Sequence, residues 1–411
     1  MKTKHVRRLA VSMEGSRVGA LASDERGWIV FQYDPGWLRA GFDIAPHTMR
    51  YVLEPQLAHD TTFDGLHGVF YDSLPDGWGL LLMDRALKMA FGWDRPSITM
   101  LDRLSYMGSR AMGALVYEPE IGPDQDLGID LASLALAAET VMEGRDDQVL
   151  RALFIHGGSP GGARPKVTVA RRSSDGACAS GFRPLDPGFE HWMVKFRSRD
   201  DAIDTGRIEY AYSRMADAAG LQMPPAEIVE VDVAGRREAF FAVKRFDREG
   251  EKRIHMMSLC GHLHASHRMP SLGYEAILAA TLRLTGSAQE LRRAFRLMLF
   301  NAITHNRDDH SKNFAFLRRD GVWRMSPAFD LTMSEGMAGQ HSSDINGSGD
   351  PQRKDVLALA SRFSIGDASA ITEQVIEAAG LWPKLASECG VSSEQSLQIG
   401  RLIDRMRSRL G

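Results

Sequence analysis

Apolar positions four apart, Phe295, Leu299 and Ile303, run up to a polar stretch, Asn306-Arg307-Asp308-Asp309-His310-Ser311-Lys312-Asn313. That spacing predicts one buried helix face closed by a polar loop. Two short strand-like runs, 314–317 and 322–325, come next, joined by Arg318-Arg319-Asp320-Gly321. Asp-Gly at the turn predicts a hairpin. Ser326-Pro327-Ala328-Phe329-Asp330 follows directly. A helix, a polar loop, a hairpin and an isolated aspartate in this order restrict the fold more than any bulk property does.

The surrounding chain predicts an α+β protein: small sheets in a mixed first part, then a mostly helical second part. Apolar runs on either side of Ser23-Asp24-Glu25-Arg26-Gly27 predict a hairpin within 19–32. An amphipathic helix is expected over 80–90, with Leu81, Met83, Leu87 and Met89 among its apolar positions. Residues 118–127, rich in Pro, Gly and Asp, predict a linker, and 131–149, rich in Ala and Leu, a helix. Strands are expected over 166–170, 192–196, 227–233 and 239–246, with a helix over 207–219 ended by Gly220. From about Ile254 the pattern is helical apart from the hairpin: 274–284, 289–305, 371–379 and 394–409. The division this suggests is 1–120, 121–250 and 251–411.

A length of 411 residues exceeds one compact core and fits two or three lobes. A net charge of −3 argues against a strongly basic nucleic-acid binder. Cys178, Cys260 and Cys389 are scattered, which predicts a reducing compartment without a disulfide framework. No apolar stretch approaches ~18 residues and the N-terminus lacks a signal-peptide pattern, so no membrane span and a cytoplasmic location are expected.

Phosphoryl transfer needs donors around the phosphates, a cation on them, oxygen ligands for magnesium and a group that orients the acceptor hydroxyl. Each has a candidate here. Gly157-Gly158-Ser159-Pro160-Gly161-Gly162, followed by Ala163-Arg164-Pro165-Lys166, is either a phosphate cradle or a surface loop; it lacks the ending of a Walker A loop. Lys195 lies in an apolar strand, where an ammonium needs an anionic partner or an edge open to solvent. Glu209 on the next helix could pair with it or serve the helix dipole. Asp308 and Asn313, five apart, match the pattern R-D-x-x-x-x-N, with Asp330 in the place of a second, magnesium-binding aspartate. Residues 242–248 end the last strand before the helical half, where a hinge could present its backbone to adenine. Cys260, His264 and His267 could share a helix face, but zinc wants about four ligands and no second cluster supplies the rest. A packing or capping role is expected for them.

At these residues the chain resembles the HipA family of toxin kinases. The motifs are Tyr71–Arg85, Gly161–Lys166, Trp192–Phe196, Val243–Arg248, Asn306–Phe314 and Ser326–Leu331, in the family's order. The resemblance implies a kinase-like two-lobe fold and an ATP- and magnesium-dependent serine/threonine kinase. It implies that Ser159, Gly161, Gly162, Ala163 and Lys166 belong to the phosphate loop and that Lys195 meets the ATP phosphates. Lys244 and Phe246 would contact adenine through their backbones, with Asp247 and His310 near the nucleotide. Asp308 would be catalytic, and Asn313 and Asp330 the magnesium ligands. Ser159, seven residues before Lys166, stands where the family autophosphorylates and silences itself. A phosphate there adds about −1.5 to −2 charges beside those of ATP. The family works with a HipB-like helix-turn-helix antitoxin, touches DNA only through it, and includes aminoacyl-tRNA synthetases among its targets. Two departures are Pro160 beside the serine and Lys244 at a hinge position often held by glutamate. The other readings are a catalytically silent, antitoxin-binding co-repressor and a small-molecule kinase on the same fold.

Overall fold

The computed structural model describes residues 4–58, 61–122, 130–142, 153, 164–182, 184–198, 200–267 and 272–411. Ser159, Gly161, Gly162 and Ala163, with the rest of the glycine cluster, lie outside them. The chain forms two compact units: Met1–Asp201, Glu230–Met257 and Gly261–His264 make the first, and Ala202–Val229, Ser258–Cys260 and Ala265–Gly411 the second.

The first unit contains two five-stranded sheets. Strands β1 (Arg8–Met13), β2 (Ser16–Ser23), β3 (Ile29–Tyr33), β4 (Gln56–Leu57) and β5 (Val116–Glu118) are ordered β4-β3-β2-β1-β5. Leu9, Val11 and Met13 alternate into the core, the period of a half-buried strand. The β1–β2 turn is Glu14-Gly15, both at positive φ (48° and 75°), the backbone that a two-residue hairpin loop requires. The hairpin expected within 19–32 is the antiparallel β2–β3 pair.

The helix expected from Leu80 begins at Gly77 and runs to Phe91, ending on Gly92 in the left-handed conformation. Its buried face is Trp78, Leu82, Met83 and Leu87. Leu81 and Met89, expected among the apolar positions, point outward at 38% and 51% exposure. The earlier start explains this: Trp78 is the bulkiest side chain available to the core and sets the phase of the helix.

The second sheet holds β6 (Lys166–Arg171), β7 (Cys178–Ser180), β8 (Glu190–Lys195), β9 (Ala226–Val233) and β10 (Arg236–Lys244), ordered β7-β6-β8-β10-β9. All of β6 is buried, and so is most of β8, the central strand. Strand β10 stops at Lys244, short of the expected Phe246, because Arg245 turns into a buried ion pair with Asp247.

Two buried histidines give the first unit a pH dependence. Burial, then the nearby His264, pulls His67 down to about 4; burial, then Arg245 and Arg248, does the same to His191. Both are neutral when folded and take up a proton when unfolded below the ordinary value of 6.5. Their contribution is therefore complete above 6.5 and is lost as pH falls toward 4. Each should remove about 1.4 kcal/mol of stability per pH unit across that window. Urea midpoints of wild type and His67→Gln at pH 7 and 5 check this; equal shifts in both proteins would exclude His67 as a source.

The second unit is helical: Thr205–Ala218, Tyr274–Thr285, Ala288–Ile303, Arg353–Arg362, Ala368–Ala379, Trp382–Glu388 and Ser393–Leu410. Phe295, Leu299 and Ile303 are fully buried, as their spacing predicts. The hairpin pairs Ala315–Arg319 with Val322–Met325 around Asp320-Gly321, both at positive φ. Among the described residues no helix is long and apolar enough to cross a membrane.

Candidate active site

In the first unit, strand register places two lysines together. Lys166 on β6 is directly opposite Lys195 on β8, so both side chains leave the same face of the sheet. They are 4% and 8% exposed, and Lys195 Nζ also lies 5.7 Å from the centroid of the Phe241 ring. The two lysines put two positive charges on one face of the sheet, a charge that suits a phosphate chain.

Lys244 lies on the opposite face and its ammonium pairs with Glu190. Its side chain is therefore turned to the sheet, while the Arg245 amide donates to the His191 carbonyl at 2.8 Å. Phe246 is half-buried just beyond. Asp247 has no exposed surface. Its carboxylate accepts from Arg245 Nε and Nη2 at 2.9 and 2.7 Å, from Arg248 Nη1 at 2.7 Å and from the Gly113 amide at 2.8 Å. Burial pushes this carboxyl up, but the two guanidinium groups outweigh it and hold it well below the usual carboxylate range. Arg253 adds donors to the carbonyls of Ser109, Ala111, Gly113 and Leu115. Asp247 is thus a clamp on the 109–115 loop, a structural task that its place after a strand did not announce.

In the second unit the helix Ala288–Ile303 delivers the polar loop. His305 follows at φ 60°, which turns the chain out of the helix. The Asp308 side chain is 61% exposed. Asn313 Nδ2 donates to the Asp308 carbonyl at 2.7 Å, which closes the loop on itself and leaves the Asn313 amide oxygen as an acceptor. His310 heads the short turn Ser311–Asn313; its Nδ1 accepts the Lys312 amide at 3.3 Å, so a neutral ring carries its proton on Nε2. That nitrogen lies 3.8 Å from Asp308 Oδ1.

The hairpin hands the chain on to Asp330. Glu290 accepts the Met325 amide at 3.0 Å, and Arg293 donates to the Met325 and Ser326 carbonyls at 3.3 and 3.1 Å. The Ala328 amide donates to the Gln222 carbonyl at 2.8 Å. Asp330 itself is half-buried at φ 57°, a left-handed backbone uncommon for any residue but glycine. Such conformations persist where the surroundings impose them. The Asn313 amide oxygen and the Asp330 carboxylate are hard oxygen donors, the ligand type that would fit magnesium.

Glu209 is buried on the helix Thr205–Ala218. Of the cysteine–histidine group, Cys260 Sγ lies 3.7 Å from His267 Nδ1, and His264 Nε2 accepts the Gly68 amide at 3.1 Å, a capping role. Among the described residues no group of three or more His, Cys, Asp or Glu is arranged for a metal ion. Sequence reasoning passed over Asp309, His341 and Tyr274, which meet in a buried cluster. Two adjacent aspartates in a loop carry no mark of which one is buried.

The HipA-like C-terminal domain family matches residues 158–383, more than half of the chain, and the HipA N-terminal domain family matches 9–118. A protein of Sinorhizobium fredii named as a kinase is 26% identical over 354 residues, covering 79% of this chain and 77% of that protein. The serine/threonine-protein kinase toxin HipA of Shewanella oneidensis is 22% identical over 360 residues, covering 80% and 76%. The structure of HipA from Shewanella oneidensis MR-1, solved with HipB and operator DNA, superposes with a TM-score of 0.69 at 16% identity, covering 98% of this chain and 96% of that one. It has the same fold. With both family domains matched in order, one of them over more than half of the chain, this chain belongs to the HipA family.

Proposed function

We propose that the chain is an ATP-dependent serine/threonine protein kinase that acts as the toxin of a toxin–antitoxin pair. The loop from Asp308 to Asn313 carries this reading: an exposed carboxylate on a backbone pinned by the magnesium-type amide five residues on. Asp308 accepts the proton of the attacking hydroxyl. Lys166 and Lys195 bind the ATP phosphates, and the backbones of Lys244 and Phe246 meet adenine. His310, with its Nε2 proton toward Asp308, sits at the nucleotide. Asn313 and Asp330 would hold magnesium, which when bound neutralises charge on the transferred group. The kinase names of the relatives support the reading.

The HipB and operator DNA seen with the Shewanella protein support a small helix-turn-helix antitoxin as partner, with DNA reached through it. A protein hydroxyl is the acceptor, and aminoacyl-tRNA synthetases are the first targets to test. Ser159 is the self-inactivation site. Incubation with labelled ATP and magnesium should place label on protein, including Ser159 by mass spectrometry. Ser159→Ala should then keep its initial rate throughout a long incubation while wild type decays. Label on a soluble metabolite alone would replace this reading with a small-molecule kinase; no label at all would leave a silent co-repressor.

A further inference from the structure

Asp308 and Asp309 are neighbours with opposite surroundings. The Asp308 side chain is 61% exposed, while that of Asp309 has no exposed surface. A buried carboxylate persists only when its oxygens are bonded, and three separate donors serve this one. Tyr274 Oη donates to Oδ2 at 2.8 Å, His341 Nδ1 donates to Oδ2 at 2.9 Å, and the Ser343 amide donates to Oδ1 at 3.2 Å. Ser343 Oγ adds a bond to the Asp309 carbonyl at 2.6 Å. Tyr274 is in turn held by Asn301 Nδ2 at 3.0 Å.

The same stretch of chain follows the loop on both sides of this point. The Ser334 amide donates to the His305 carbonyl at 3.0 Å, and the Arg307 amide to the Ser334 carbonyl at 3.3 Å. The Ser342 amide and hydroxyl both reach the Arg307 carbonyl, at 3.0 and 3.1 Å. Arg307 bonds the Gly339 carbonyl and lies 3.8 Å from Asp350. The chain after Asp330 is thus fastened along residues 305–309 by hydrogen bonds within the protein.

We propose that Asp309 and His341 form a latch that holds the 334–343 segment on the polar loop, and that Asp309 is thereby a positioning residue for Asp308. The second half rests on the reading of Asp308 as the catalytic aspartate. The chemistry of the latch is specific. Asp309 Oδ2 accepts, so His341 presents its Nδ1 proton, and the buried Nε2 has no hydrogen-bond partner. Adjacent Cα atoms are ~3.8 Å apart, so whatever fixes Asp309 fixes the base of Asp308.

The test compares three variants of the full chain. In His341→Asn the amide nitrogen takes the place of Nδ1; in His341→Gln it stands one bond further out; His341→Ala removes the donor. Amide exchange at Ser342 and Ser343 should quicken at least about ten-fold in His341→Ala and His341→Gln and stay near wild type in His341→Asn. In the same proteins kcat should fall about 10- to 100-fold for Ala and Gln, with nucleotide Kd changed less than about two-fold, and recover in Asn. Unchanged exchange in His341→Ala would overturn the latch. Faster exchange with unchanged kcat would overturn the positioning role. A wild-type protein that transfers no phosphate would overturn the kinase reading and the positioning role with it, while exchange would still decide the latch.

Discussion

On the proposed function, Asp308→Asn should lower phosphoryl transfer ~10²–10⁴-fold and leave the fold intact, because it would remove the carboxylate assigned to accept the proton and little else. The side chain is 61% exposed, so the substitution should change stability by no more than about 0.5 kcal/mol. The Asp308 carbonyl that receives Asn313 Nδ2 is main chain and survives. Initial rates with labelled ATP, read beside thermal melts, separate the two effects. A variant that transfers phosphate at the wild-type rate would remove Asp308 from the chemistry.

Asp247→Ala should strongly destabilise the first unit. It deletes the carboxylate that faces Arg245 and Arg248, which are 3% and 9% exposed, and orphans the Gly113 amide. Breaking a buried pair by removing one partner typically costs about 3–5 kcal/mol, a large part of the ~5–15 kcal/mol that holds a domain together. The shift in urea midpoint, converted with the slope of the transition, measures it. Asp247→Asn keeps an acceptor but not the charge and should fall between the two. A loss under ~1 kcal/mol for the alanine variant would show that the guanidinium groups find carbonyls enough without it.

The parts of the fold that were legible in the sequence are those where local chemistry and packing agree. Asp320-Gly321 takes the positive φ values that a two-residue turn demands, and Phe295, Leu299 and Ile303 share the buried helix face their spacing implies. On the helix from Gly77, Met83 and Leu87 are buried while Leu81 and Met89, equally apolar, are exposed, so only tertiary packing decides between the faces. Lys166 and Lys195 each stand out in their own segment, but that they stand opposite one another depends on strand register, which nothing near either residue encodes. Asp247 was legible as a residue near a hinge, not as the counter-charge of a clamp, because its partner Gly113 lies 134 positions away. His341 carries no local signal: its partner Asp309 is 32 positions earlier, and a histidine between Gln340 and Ser342 looks like loop chemistry.

Asp330 shows how shape and charge can be dissociated at a single position. Its φ of 57° suits asparagine at least as well as aspartate and glycine better than either, whereas alanine there meets a penalty of roughly 1–2 kcal/mol. An alanine scan would therefore confound a bent chain with a missing ligand. Asparagine isolates the electrostatics and glycine isolates the side chain, each on an unperturbed trace, so the pair of substitutions can be used to titrate how much of this residue's worth is ionic.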